Sequence, residues 1–140
     1  MSAAPTMPES VRSVPEALAF WAEATPAAPA LIVAGGPVVT YGELWRGVQT
    51  IAASLAEAGI RRDDRIVLLV PEGPALAVSL LGAMSAAIAI PVAADSTSAE
   101  LTAALDDLGP AGVIASRKLP DEVATGLDRH GVAVFELDAA

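Results

Sequence analysis

The sequence predicts an α/β fold: a small N-terminal β-hairpin, then a doubly wound, mostly parallel sheet with helices on both faces. Three observations carry this. From Thr40 onward, helical and strand-like segments alternate α-β-α-β-α-β-α-β, an order that calls for parallel strands joined by crossover helices. Arg65-Ile66-Val67-Leu68-Leu69-Val70 is a continuous apolar run of the kind buried on both faces of a parallel sheet. Ahead of the alternation, two short β-rich runs flank Ala34-Gly35-Gly36-Pro37. The chain has 140 residues, the size of one domain, and such a chain can bury roughly two-thirds of its unfolded surface.

Residues 1–12 are punctuated by Pro and Ser and are expected to form a mobile arm, with one domain over 13–140. Ser13-Val14-Pro15-Glu16 has the S-x-x-E pattern of a capping box. It opens a short helix over Ala17 to Ala24 that presents Leu18 and Trp21 and is stopped by Pro26 and Pro29. Ala30–Val33 and Val38–Thr40 read as a hairpin with a four-residue loop. A phosphate-binding loop at Gly35-Gly36 would need a helix opening at once and a Lys or Ser/Thr. Val38-Val39 follows instead.

Thr40-Tyr41-Gly42-Glu43 is a second capping box. Leu44, Val48, Ile51 and Leu55 then recur at helical spacing, with Gly59 as the stop. Arg61-Arg62-Asp63-Asp64 reads as a self-paired polar turn before the strand Arg65–Val70. Pro71-Glu72-Gly73-Pro74 turns into a helix with Leu76, Leu80 and Ala83 or Met84 on one face, and Ile88–Val92 reads as a short buried strand. Thr97-Ser98-Ala99-Glu100 is a third capping box, opening a helix through Leu101 and Leu105 that Gly109-Pro110 ends. Gly112–Ala115 is a strand, Pro120–Arg129 a short helix and Val132–Phe135 a last strand.

Composition narrows the function. Lys+Arg number 8 and Asp+Glu 17, a formal charge of −9 that argues against nucleic acid and against anionic membrane surfaces as partners. Without cysteine there are no disulfides, thiolate metal sites or thiol nucleophiles, and a lone His excludes a multi-histidine metal site. The hydrophobic fraction of 54% is high, though alanine supplies about a fifth of the chain, and it points to a face that something covers. Met1 to Glu9 lacks the basic start of a secretory signal, and a cytoplasmic location is expected. Gly73 to Ala94 carries no charge over a length that could cross a bilayer. Pro74, Pro91, Gly82, two serines and flanks without Lys or Arg favour a buried helix running into a strand.

No catalytic constellation emerges from the residues. His130 ends a helix, where a cation is favoured. Asp106 and Asp107, adjacent on a helix, point about 100° apart and do not converge on a metal. The serines lack a His–acid partner pattern. Pro71–Pro74 is the best-placed turn for an anion, but Pro74 removes a donor and Glu72 repels.

The order of these segments resembles the N-terminal part of the adenylate-forming superfamily: acyl-CoA synthetases, nonribosomal-peptide adenylation domains and luciferases. Val39-Thr40-Tyr41-Gly42-Glu43-Leu44 with Leu55-Ala56-Glu57-Ala58-Gly59-Ile60 is similar to that family's "TYxEL…L…GI" opening. Asp64 to Pro74 is similar to its "GDRVALLLPNGP" strand and turn, and Leu81 to Val92 to its "LGALKAG…VP" motif. Pro26 to Ile32 resembles "P..PALI". Glu100-Leu101 and Leu108 to Ile114 resemble the segment after the third motif. Together the likeness spans roughly residues 14–137, with Asp63 and Ala87 standing where the family usually has Gly.

The resemblance implies a ligase that activates a carboxylic acid with ATP and Mg to an acyl-adenylate, then passes the acyl group to CoA or a carrier-protein thiol. It also implies that the family's phosphate loop, adenine and ribose motifs, magnesium-associated acid and catalytic lysine lie beyond Ala140. On that basis no catalytic, cofactor-binding or metal residue is expected in this chain, whose one lysine, Lys118, has no glycine-rich context. The chain alone is expected to be an inactive scaffold, with the rest of such an enzyme, or a separately encoded partner, against it. The alternative is a stand-alone docking module derived from such a ligase. A flavodoxin-like domain unrelated to ligases is disfavoured by the hairpin and by the lack of an acidic cluster at strand ends.

Overall fold

A computed structural model describes residues 3–137. The first helix, α1 (Val14–Ala24), leads into a hairpin of β1 (Pro29–Ile32) and β2 (Val38–Thr40), then the long α2 (Tyr41–Glu57). Next come β3 (Arg65–Leu69), α3 (Pro74–Ala86), β4 (Ile88–Pro91), α4 (Ser98–Leu108), β5 (Gly112–Ala115), α5 (Asp121–Arg129) and β6 (Ala133–Glu136). The hairpin is antiparallel. The other four strands form a fully parallel sheet in the order β4-β3-β5-β6.

The start of α2 shows why the chain folds here. Thr40 Oγ1 accepts from the Glu43 N–H at 3.2 Å while Glu43 Oε2 accepts from the Thr40 N–H at 2.9 Å, a complete capping box. The Tyr41 and Gly42 N–H groups, which a helix start leaves free, donate to the Ala28 and Pro26 carbonyls. Capping thus ties α2 to the segment leaving α1. At its other end, Gly59 takes φ +84, a conformation that costs most residues. Its N–H donates to Ala56 and that of Ile60 to Leu55, the paired bonds of a Schellman stop.

The two other predicted boxes are half formed. Ser13 Oγ and Thr97 Oγ1 each accept from the N–H three residues on. But Glu16 accepts from the Arg12 N–H at 2.8 Å, and Glu100 Oε1 accepts from the Thr97 hydroxyl at 3.0 Å. The polar turn is self-paired through backbone: the Arg61 N–H donates to Asp64 Oδ2 at 2.7 Å.

Side chains of the parallel sheet alternate between two cores. Val67, Leu69, Val113 and Ala115 pack under α4 and α5 with Leu101, Leu105, Val123 and Leu127. Ile66, Leu68, Val70 and Ile114 pack under α2 and α3 with Leu55 and Ala83. A third cluster joins α1, α2 and the hairpin through Leu18, Leu44 and Val48. Helix α2 belongs to two clusters: its first half packs on the hairpin, and Ile51 and Leu55 pack on the sheet.

One expectation needs correction. Ile88–Val92 is not a buried strand. β4 pairs only with β3 and lies at the sheet edge, where Ile88 is 46% exposed. An edge strand with proline at its end is a common way to end a sheet. Helix α3 has the expected apolar face and a second one besides. Leu76, Leu80 and Ala83 face the sheet, Val78 and Leu81 face the hairpin cluster, and Met84 is exposed. This two-sided helix is what made Gly73–Ala94 so apolar. Among the described residues no helix is long and apolar enough to cross a membrane.

The α2–α3 crossing is close because two glycines remove side chains from it. A Cβ at Gly82 would lie 2.7 Å from Ile51 Cβ and Cγ2, and one at Gly47 would lie 2.8 Å from Val78 Cγ1. The residues that depart from the usual glycines cost the backbone nothing. Among the described residues no non-glycine has positive φ, so Asp63 is unstrained, and Ala87 is extended at φ −160.

Candidate functional site

Strand order places the first candidate. β3 leads to β4 on one side, and the chain then crosses back to lay β5 on the other side of β3. The order reverses between β3 and β5. In open α/β sheets the crevice at the carboxyl ends of such strands is where ligands bind. Here it is bordered by Pro71-Glu72-Gly73 after β3 and Ser116-Arg117-Lys118 after β5, with the Ser116 N–H donating to Leu69.

Along the chain, Pro71–Pro74 and Lys118 lie far apart. Parallel pairing of Leu69 with Ala115 brings both segments to the same sheet end, a placement that only strand order reveals. Gly73, at φ +138, lets the chain turn sharply into α3, whose start has no side-chain cap. Pro74 withholds one N–H there. Glu72, Arg117 and Lys118 are all exposed.

This donor set does not fit a nucleoside triphosphate with magnesium. Transfer chemistry on phosphates requires fixed cations and backbone donors converging on them, and here one carboxylate sits beside two solvated cations. Among the described residues no group of three His, Asp or Glu could hold a metal ion. Asp106 and Asp107 are exposed on the last turns of α4. The His130 Nδ1–H donates to the Gly126 carbonyl at 2.8 Å, so that nitrogen is occupied in capping α5.

The second candidate lies toward the opposite end of the sheet. α4 and α5 run side by side over β3 and β5 and leave a cleft of about 330 Å³. Leu105, Val123, Leu127 and Val132 form its apolar walls, and Asp106 and Glu122 also line it. No sequence signal marks it beyond the spacing of Leu105 with Gly109 and of Val123 with Leu127. A shallower depression of about 670 Å³ lies between α1 and α2, around Pro26, Trp45 and Arg46. Its Glu43 is already engaged in the capping box.

Known proteins share this architecture. The benzoate CoA ligase of Burkholderia xenovorans LB400 superposes with a TM-score of 0.72 at 23% identity, over 91% of this chain and 26% of that one. VinN, solved with L-aspartate, gives 0.73 at 27% identity, over 90% of this chain and 35% of that one. The Klebsiella oxytoca NpsA N-terminal subdomain, in complex with 3-hydroxybenzoyl-AMSN, gives 0.72 at 21% identity, over 90% and 30%. Acetyl-coenzyme A synthetase 1 of Candida albicans is 35% identical over 66 residues, 44% of this chain and 10% of that protein. The chain thus spans about a tenth of that curated relative and about a quarter to a third of these solved chains. The family model for AMP-binding enzymes matches residues 18–139, nearly the whole α/β unit described above, and the chain belongs to that family.

Proposed function

We propose that this chain is the N-terminal scaffold portion of an ATP-dependent carboxylate-activating ligase. The whole enzyme would join an acid to ATP, giving acyl-AMP and releasing pyrophosphate. It would then pass the acyl group to the thiol of CoA or of a carrier protein. In this reading the chain contributes no catalytic, nucleotide-binding or metal-binding residue. ATP and magnesium are held by the remainder of the enzyme, and the setting is cytoplasmic. The observation that supports it is the pairing of a family match over residues 18–139 with a switch-point crevice whose groups do not converge on phosphate.

The test is ATP–pyrophosphate exchange by the pure chain with magnesium and a panel of acetate, benzoate and aspartate. Exchange no higher than the acid-free blank is expected; acid-dependent exchange would overturn the scaffold assignment. Size-resolved mass spectrometry of the native source adds a second readout. The tryptic peptide Ile66–Arg117 should run in material several times larger than 14.1 kDa. If it runs near that mass, the stand-alone docking module is the better reading. One observation favours that module: the chain has its own two-faced core, with no buried side-chain polar atom unpartnered among the described residues.

A further inference from the structure

We infer that the α4–α5 cleft is a docking site for a basic polypeptide segment that inserts an apolar side chain between the two helices. The cleft has the layout of a protein interface, with an apolar centre and a polar rim. Its walls are Leu105, Val123, Leu127 and Val132, and its volume of about 330 Å³ suits one or two large side chains. The groups that line it recur at helical spacing: Thr102, Leu105, Asp106 and Gly109 along α4, and Glu122, Val123, Gly126, Leu127 and His130 along α5. Two ridges therefore flank one groove.

Charge selects the occupant. Helices α4 and α5 carry Glu100, Asp106, Asp107, Asp121, Glu122 and Asp128, all exposed, against the single cation Arg129. The C-terminal end of α4 borders the cleft at Gly109, but its Leu108 carbonyl already accepts from the Arg65 guanidinium at 2.8 Å, so a cation caps the negative pole of this helix and the side-chain carboxylates carry the charge argument. The one titratable ring there, His130, has Nδ1 tied to Gly126. A basic partner gains attraction from these carboxylates, of which Asp106 and Glu122 line the cleft, whereas an acidic one is repelled. The acids extend along both helices beyond the cleft itself, which favours an extended segment over a small amine.

The experiment uses ¹⁵N-labelled full chain and a short amidated peptide with lysines around a central Trp-Leu pair. The expected result is saturable shifts centred on Leu105, Gly126, Leu127 and His130. They should weaken with added salt and fall about fivefold in affinity in the double variant D106N/E122Q, the sum of two rim charge pairs. Both substituted residues are exposed, and far-UV circular dichroism verifies that the variant is folded. The inference is overturned if a peptide with glutamates for lysines binds as well. Equal binding of a peptide with alanines for Trp and Leu overturns it too, because the cleft then plays no part. Non-saturable shifts scattered over all acidic residues would mean a diffuse charge effect and overturn it as well. Equal affinity for tryptamine alone would replace the polypeptide with a small cation.

Discussion

The same substitution, glycine to alanine inside a helix, should act in opposite directions at two places. Gly126 lies mid-way along α5, and a Cβ there meets nothing within 4 Å. Gly126→Ala should stabilise the protein by about 0.5–1 kcal/mol, the helix-propensity difference alone. Gly82 lies inside α3, where the new Cβ would sit 2.7 Å from Ile51 Cβ and Cγ2 and 3.3 Å from the Val48 carbonyl. Carbon atoms prefer about 3.5–4.0 Å, so α2 and α3 must separate by about 1 Å. Ile51 cannot swing clear, because its own Cβ is one of the obstructing atoms. Overpacking of this kind costs about 1–3 kcal/mol, and the propensity gain offsets only part of it.

Subtracting the two effects cancels propensity and leaves the crossing itself, about 1–3 kcal/mol. Urea unfolding followed by far-UV circular dichroism reads this directly. With a slope of about 1–3 kcal/mol per molar, the two midpoints should differ by about 1 M, with Gly82→Ala the lower. If Gly82→Ala matches or exceeds Gly126→Ala in stability, the close helix crossing is wrong.

Four further outcomes follow from named contacts. Gly47→Ala should cost less than Gly82→Ala, because the obstructing atom is the terminal Val78 Cγ1; adding Val78→Ala should recover most of the clash, read by the same unfolding curves. Thr40→Ala removes the acceptor for the Glu43 N–H and should cost about 1 kcal/mol, more than Thr97→Ala, whose box is half formed; thermal melts of the two variants settle the order. Leu68→Ala in the central strand should cost about 2–5 kcal/mol, since Leu68 is fully buried; denaturant titration gives the value. Asp63→Gly, which installs the residue usual in the family, should lower stability by about 0.5–1 kcal/mol, because this turn has no positive φ to relieve; a higher melting temperature would contradict that.

Periodicity made α2 legible in full: Leu44, Val48 and Leu55 are its buried residues, and Thr40 and Gly59 mark its ends. The hairpin and β3 were equally plain, because a glycine-rich turn between β-branched runs and an uninterrupted apolar run of strand length fit little else. β4 was misread because Ile88–Val92 has the same apolar character whether one or both edges of a strand are paired. Exposure at an edge depends on neighbours that local sequence does not name. The half-formed boxes at Ser13 and Thr97 show a second limit. An S-x-x-E pattern fixes which residues can pair, but a competing donor such as the Arg12 N–H can take the carboxylate. The two candidate sites were the least legible. One depends on strand order bringing Gly73 and Lys118 to one end of the sheet, the other on how two short helices space themselves above it.

Helix α2 has a consequence for how the molecule comes apart. Both tryptophans, Trp21 and Trp45, sit among α1, α2 and the hairpin, and Trp21 stacks at a tilt on Tyr41 with ring centres 6.4 Å apart. The parallel sheet carries no indole. Tryptophan emission therefore watches one end of the molecule, while ellipticity averages over all of it. The hairpin layer reaches the sheet through the two helices that belong to both cores. Of these, α2 sends Leu44 and Val48 into one core and Ile51 and Leu55 into the other. If the α2–α3 pair couples the halves, both signals lose their native values together. If the pair gives way near its middle, the emission change comes first, and the parallel sheet persists as a smaller cooperative unit.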